Sequence, residues 1–418
     1  DQYRALIADR LDDFWSSWPD RFPRVRPRWE LSLTILDLLD AAGRLESDLK
    51  AAGHDPTHLL DRYTLGTESD PPWCLLDTYH RHLEQQYHAF ADFDYAGEHS
   101  MLDRAINRAR QRYTAVGGDL AERFVHSLAD ARFQLPTVMR QTQIYAKRVK
   151  PALEEGKTAY ILVDALRFEM AREQFERLQA EYKGELSFAL ATVPTITPIG
   201  MGSLMPGAED HVSVVPAGVG NVGLRLDGVV LTDRKSRLEW FATQQPDAFV
   251  HATLEDMLPK PDKGLEARLR GANLILVTSQ EIDKLAEGDN IRQARLLMDY
   301  ILVDLARLVN KLRDYGCTTI VVTSDHGYLF GEEIDADMKI DPPGGKTADL
   351  HRRAWIGKGG AASDAYLRVP LSALGQSSDL DLAVPWGFGV FKVQGGARAY
   401  FHGGMAPQEM VIPVMVLH

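Results

Sequence analysis

The periodicity of the chain changes around Glu154-Glu155-Gly156-Lys157, and this change limits the possible folds more than any other feature. Before it there is almost no strand pattern. After it, short apolar runs alternate with helical stretches to the end of the chain. Residues 160–163, 186–193, 273–277, 318–322 and 410–417 read as strands, while 167–182 and 291–315 read as helices. A short helix is expected after Pro198, and a hairpin over 222–232 turning at Asp227-Gly228. Strands alternating with helices imply an α/β fold, a mostly parallel sheet covered on both faces.

Upstream, residues 29–52 place Leu31, Ile35, Leu38 and Leu39 at helical spacing, and 73–93, 100–115 and 119–150 follow suit. Breaks are expected at Pro71-Pro72, at residues 95–98, at Gly117-Gly118 and at Pro136. The expected division is therefore an α-helical N-terminal region over 1–150 and an α/β domain over 151–418. The chain opens on Asp1 rather than Met, which suggests a trimmed or partial product with an upstream segment missing.

No run reaches the roughly eighteen apolar residues of a membrane span, and no secretory signal is visible. Two distant cysteines, Cys74 and Cys317, suit a reducing cytoplasm and rule out a disulfide framework. A net charge of −12 disfavours indiscriminate binding to duplex nucleic acid. Residues 101–150 run the other way, with ten Lys or Arg against four Asp or Glu. Arg104, Arg108 and Arg112 recur every four residues there and share a helix face. That face is either simply solvated or meets an anionic partner, a nucleic acid or an acidic protein.

The chemistry gathers at strand ends, where open α/β sheets collect their ligands. The run 318–322 ends in Thr323-Ser324-Asp325-His326-Gly327-Tyr328, and Asp with His suits a divalent metal. Asp164 follows Ile161-Leu162-Val163 and is either a helix cap or a ligand. In Val193-Pro194-Thr195-Ile196-Thr197-Pro198, proline at the first helical position makes Thr197 the expected N-cap, with Thr195 as competitor. A hydroxyl there is well placed to meet a phosphate, but needs a base or a metal to become a nucleophile. The acidic stretch from Thr278 to Asp289 offers Asp283 and Glu287, and His402 precedes Gly403-Gly404. Taken singly, each of these has an ordinary structural explanation.

Taken in order, Leu162-Val163-Asp164-Ala165-Leu166-Arg167, Pro194 to Met201, Ser324 to Tyr328 and His402-Gly403-Gly404 resemble the alkaline phosphatase superfamily. Within it they resemble the PglZ domain family of BREX phage-defence systems. The resemblance spans about residues 158–418. It implies an alkaline phosphatase-like fold and two divalent metal ions, zinc first. Asp164, Asp325, His326 and the Thr197 oxygen would hold one ion, and Asp283, His402 and one further residue the other. Thr197 would attack phosphorus in line and form a phosphothreonine. Superfamily members commonly place a histidine four residues after the Asp283-like position, where this chain has Glu287. An oxygen-rich second site favours manganese or magnesium. Arg167, Arg352 and Arg353 are candidates to clamp phosphate oxygens.

The resulting expectation is a cytoplasmic, metal-dependent phosphomonoesterase or phosphodiesterase, with nucleotides or nucleic acid among its candidate substrates. Its partners would be other defence proteins, methyltransferase or ATPase subunits. The rival expectation is a non-catalytic scaffold that keeps the fold and binds partner proteins. A phosphate-moving mutase would need a cap over the site, for which residues 206–272 are available.

Overall fold

The computed structural model describes residues 2–90, 100–245, 249–288, 290–330, 338–393 and 399–418. The expected break at 95–98 and the acidic residue at 289 lie outside them. No helix among the described residues is long and apolar enough to cross a membrane.

The N-terminal part is helical as its spacing requires: α1 Gln2–Leu11, α2 Val25–Ala51, α3 Pro56–Thr64, α4 Leu75–Phe90 and α5 Ser100–Asp130. One expected break is absent, because α5 runs straight through Gly117-Gly118. Tertiary packing outweighs the propensity penalty there. A Cβ on Gly117 would stand 2.7 Å from the Phe388 ring, so a small residue lets the helix lie against it. The break comes instead after Asp130, where Arg132 and Phe133 take positive φ, ahead of Pro136.

Six strands build the central sheet: β1 Thr158–Val163, β2 Gly184–Leu190, β3 Phe249–Thr253, β4 Leu274–Ser279, β5 Thr319–Ser324 and β6 Val411–Leu417. Their order is β2-β6-β5-β1-β4-β3. β1 pairs in parallel with both β4 and β5, and β3 with β4, whereas β6 runs antiparallel to β5 and β2. Strand side chains alternate between faces. Tyr160 and Leu162 enter a core shared with α2 to α5, while Ala159, Ile161 and Val163 enter one filled by the helix over Ile291–Asp314. The helical region and the sheet therefore share one continuous hydrophobic core.

The parallel strands set the geometry of the site. With β1, β2, β4 and β5 pointing the same way, the segments leaving their carboxyl ends emerge along one edge. Antiparallel β6 begins at that same edge, so the stretch from His402 to Met410 joins them. The expected hairpin is present, with strands Val222–Leu226 and Val229–Leu231 around Asp227-Gly228, both at positive φ. A second antiparallel sheet of four strands lies within residues 346–385.

At the β5 end the chain passes close under the segment before β6. A Cβ on Gly327 would stand 2.0 Å from the Gln408 carbonyl oxygen. Gly327→Ala should therefore cost about 1–3 kcal/mol through forced backbone movement, a lowered midpoint with an unchanged slope in urea unfolding.

Candidate metal centre

Each strand end delivers one part of the site. β1 hands over to Asp164 and then Ala165 at φ 63, a tight turn that reverses the chain into α6, Phe168–Leu178. The turn is held by the β5 end: the Ala165 N–H donates to Asp325 Oδ1 (3.0 Å) and the Leu166 N–H to Ser324 Oγ (2.8 Å). Ser324 Oγ in turn donates toward the Val163 and His326 carbonyls. Buried Gln141 ties in the β2 end. Its Nε2 donates to the Asp325 carbonyl (2.6 Å) while its Oε1 accepts from the Thr192 N–H (2.8 Å).

Thr195 and Thr197 separate clearly. Thr195 is fully buried, and its hydroxyl donates to the Gly404 carbonyl and accepts from the Gly403 N–H. The Thr197 hydroxyl lies 3.3 Å from His326 Nε2. The N-cap expectation needs correction, since Thr197 is the first residue of the helix α7, Thr197–Ser203, and Ile196 holds the cap position. Proline therefore sits at the second position, and the hydroxyl is left free to face the site. Gly200 brings this helix in close, since a Cβ there would stand 2.4 Å from the Asp325 carbonyl oxygen.

Asp164, Asp325 and His326 are buried, and one potential ligand atom from each lies within 4.8 Å of the others. His326 Nδ1 sits 3.1 Å from the Gly327 carbonyl, which can only accept, so Nδ1 carries the proton and Nε2 presents a lone pair. Nε2 is 3.3 Å from Asp325 Oδ2 and 3.9 Å from Asp164 Oδ1. Neither of those carboxylate oxygens has a hydrogen-bond partner. Acceptors thus face acceptors in a buried space. Burial pushes the Asp325 carboxyl up to about 7, and burial with the charges of Asp325 and Asp283 holds Asp164 well above the usual range. Burial lowers His326, keeping it neutral. A cation would relieve all three, so this Asp-Asp-His group could bind a metal ion.

A second group adjoins it. Asp283 and Glu287 come from α9, Glu281–Glu287, which follows β4, with α8 being the earlier helix Arg234–Gln244. They approach His402 within the same 4.8 Å limit. Tyr400 donates its hydroxyl to Asp283 Oδ1 (2.8 Å), and His402 Nδ1 lies 3.1 Å from the Thr195 carbonyl, turning Nε2 toward the carboxylates. Burial and nearby His326 push His402 down to about 3, so it too is a neutral ligand. The His326 and His402 rings stack with centroids 4.3 Å apart, which joins the two groups.

Two of the three proposed phosphate clamps need correction. Arg167 is 2% exposed and pairs with Asp77 (2.9 Å) and Glu169. Arg353 is 1% exposed and pairs with Glu409 (3.0 Å). Both guanidiniums are sealed against internal carboxylates and turned away from solvent. Arg352 is half-buried, its guanidinium over the Phe401 ring next to His402. Two neighbours of the site were missed in the sequence. His351 lies with its ring centroid 6.4 Å from that of His402. Arg237, on α8, is 8% exposed, makes no side-chain hydrogen bond or ion pair among the described residues, and acts electrostatically on Asp164 and Asp325. Arg237 sits in the segment 206–272, which carried no readable motif; His351 directly precedes the two arginines and was open to notice.

The fold and this edge define an alkaline phosphatase-like protein, and the sequence comparisons narrow the class. The model of the BREX system PglZ alkaline phosphatase-like domain matches residues 144–417, and the chain belongs to this family. It is 26% identical over 301 residues to the alkaline phosphatase-like protein BrxZ of Escherichia coli O9:H4 (strain HS), covering 68% of this chain and 33% of that protein. It is 23% identical over 284 residues to the alkaline phosphatase-like protein PglZ of Bacillus cereus (strain H3081.97), covering 66% and 32%. The chain thus spans about a third of the length of these curated relatives. Among solved structures it matches murine ectonucleotide pyrophosphatase/phosphodiesterase 5, an inactive form with AMP, at TM-score 0.42 and 15% identity over 63% of this chain and 88% of that one. A phosphonoacetate hydrolase from Sinorhizobium meliloti 1021 matches at TM-score 0.39 and 12% identity over 62% and 89%.

Proton competition follows from the raised carboxyls. In the metal-free protein, Asp325 contributes stability below the ordinary carboxylate pKa of about 4 that is lost as pH rises through about 7, and Asp164, also raised, acts in the same direction. Zinc must displace those protons, so its affinity should climb from about pH 5 and level off above about pH 7 in a chelator-competition titration. Asp325→Ala should remove most of that affinity, together with the rise in melting temperature that zinc gives the wild type.

Proposed function

We propose that this chain is the hydrolase unit of a BREX-type defence protein, a metal-dependent phosphatase or phosphodiesterase with Thr197 as nucleophile. One observation carries the reading: a half-buried Thr197 hydroxyl faces a dry Asp-Asp-His cluster, which a stacked histidine pair links to a second carboxylate–histidine cluster. In this reading Asp164, Asp325, His326 and Thr197 hold one divalent ion and Asp283, Glu287 and His402 the other. Zinc suits the first site, and manganese or magnesium the oxygen-rich second. When bound, the ions supply a lowered hydroxyl pKa and a positive field for the departing oxygen.

The chain's own residues do the rest. Thr197 Oγ attacks phosphorus as the bond to the leaving oxygen breaks, giving phosphothreonine and an alcohol or phenol. Water then cleaves the phosphothreonine, releasing phosphate or a phosphomonoester and restoring the hydroxyl. Gln141, Ser324 and the Thr195–Gly404 contact hold the reacting loops in register. Arg352 and Arg237 replace Arg167 and Arg353 as candidates to meet phosphate oxygens, supported by their place beside His402 and beside the two acids.

The proposed units are residues 1–150 and 151–418, with other defence proteins, methyltransferase or ATPase subunits, as partners in the cytoplasm. Nucleotide or nucleic-acid phosphodiesters are the favoured substrates, with phosphomonoesters next. Arg104 and Arg108 are exposed on α5, as a face meeting such an anion requires, whereas Arg112 pairs with Glu46.

Thr197→Ala should lower hydrolysis of nitrophenyl phosphate and bis-nitrophenyl phosphate at least about a thousandfold. Its stability should stay within about 1 kcal/mol of the wild type. Loss of activity in Thr195→Ala with a fully active Thr197→Ala would reject the assignment. A zinc-loaded wild type inert toward both esters would favour the scaffold role instead.

A further inference from the structure

Arg167 lies deep in the protein, and its partner Asp77 belongs to the helical region that precedes the family segment. Asp77, on α4, is fully buried and surrounded by donors. The Tyr63 hydroxyl from α3 and the Tyr113 hydroxyl from α5 each donate to it at 2.8 Å. Arg167 pairs with it at 2.9 Å, and Gln408 Nε2 donates at 3.3 Å.

The last two contacts matter because of where those residues stand. Arg167 ends the turn that begins at Asp164, and its guanidinium carbon lies 5.1 Å from the centre of the Tyr328 ring, two residues after His326. Arg167 Cγ also stands 3.4 Å from where a Gly327 Cβ would be. Gln408 belongs to the stretch between His402 and β6, whose Glu409 carbonyl accepts the Gly327 N–H (2.9 Å). A single carboxylate outside residues 144–417 thus touches the segments that present Asp164 and His402 directly, and the one that presents His326 through Arg167.

We propose that Asp77 is a positioning residue of the metal centre, fixing through Arg167, Tyr328 and Gln408 the turns that carry Asp164, His326 and His402. The helices before residue 144 are then a working half of the hydrolase unit. The physical reason is that metal ligands must be held within about half an ångström of their working positions by contacts beyond the ligands themselves. A buried guanidinium left without its carboxylate must be rehydrated or moved, and moving Arg167 shifts the Asp164 turn and the Tyr328 ring together. This role presupposes the metal-site reading above.

The test uses the whole chain, with zinc as probe. Asp77→Asn keeps the size of the side chain and loses the charge. Zinc affinity, read by competition with a chromophoric chelator, should fall about tenfold while circular dichroism shows a folded protein. Turnover of bis-nitrophenyl phosphate should fall with little change in KM. A purely structural Asp77 would lower the melting temperature of the metal-free protein and leave zinc affinity unchanged, and that result overturns the proposal. If Asp77→Asn does not fold, Arg167→Lys decides. It keeps a cation beside Asp77 but loses the planar guanidinium that reaches from Asp77 to the Tyr328 ring, so weaker zinc binding supports the role and unchanged binding rejects it. A wild type that takes up no zinc would overturn the metal-site reading itself, whereas normal zinc binding in Asp77→Asn overturns only the role of Asp77.

Discussion

Two buried carboxylates and a neutral imidazole face one another, with one oxygen of each acid lacking a hydrogen-bond partner, and the surrounding structure fixes them there. Burial disfavours the charged form of both acids and their mutual repulsion adds to this, so the two carboxyls sit above the usual range in this arrangement. Parallel pairing of β1 with β5 fixes the two acids at neighbouring strand ends. Ser324, Gln141 and the close approach at Gly200 then remove the remaining freedom. Each of these contacts goes to backbone, so the positions of the side chains are set by the most rigid part of the molecule.

The helical region belongs to this restraint. It shares its core with one face of the sheet and is pinned to it by buried charge. Buried Arg81 of α4 meets buried Glu169 and half-buried Glu173 of α6, and half-buried Asp299 of the helix Ile291–Asp314. Removing one partner from such a cluster costs about 3–5 kcal/mol, because the other charge stays buried. That cost explains why arginines near the site face inward. Arg167 and Arg353 are struts, Arg352 lies half-buried beside His402, and buried Arg237 acts on Asp164 and Asp325 through its charge.

The two carboxylate–histidine groups differ in character. The first is sealed, with ligands held by backbone contacts from three strand ends. The second lies on the open side, with Asp283 and His402 half-buried and Glu287 exposed on a seven-residue helix. A rigid site favours a fixed coordination geometry, while an exposed oxygen-rich one exchanges ligands with water more readily.

Periodicity alone was enough to read the strand–helix alternation after residue 157, the helical N-terminal part and the hairpin at Asp227-Gly228, because these depend on local spacing and turn chemistry. The same reasoning put Asp164, Thr197, Asp283, Asp325, His326 and His402 at strand ends or Gly turns, since a chain leaving an apolar strand meets solvent there. What spacing could not supply was orientation and partner. Thr197 faces the cluster and Thr195 the Gly404 carbonyl because of how the β2 end packs on residues 403–404. Arg167 points inward because Asp77, ninety positions upstream, is waiting for it. α5 crosses Gly117-Gly118 unbroken because Phe388 packs against it. These outcomes depend on contacts distant in sequence, where burial and charge pairing outweigh any local preference, and only the folded chain decides them.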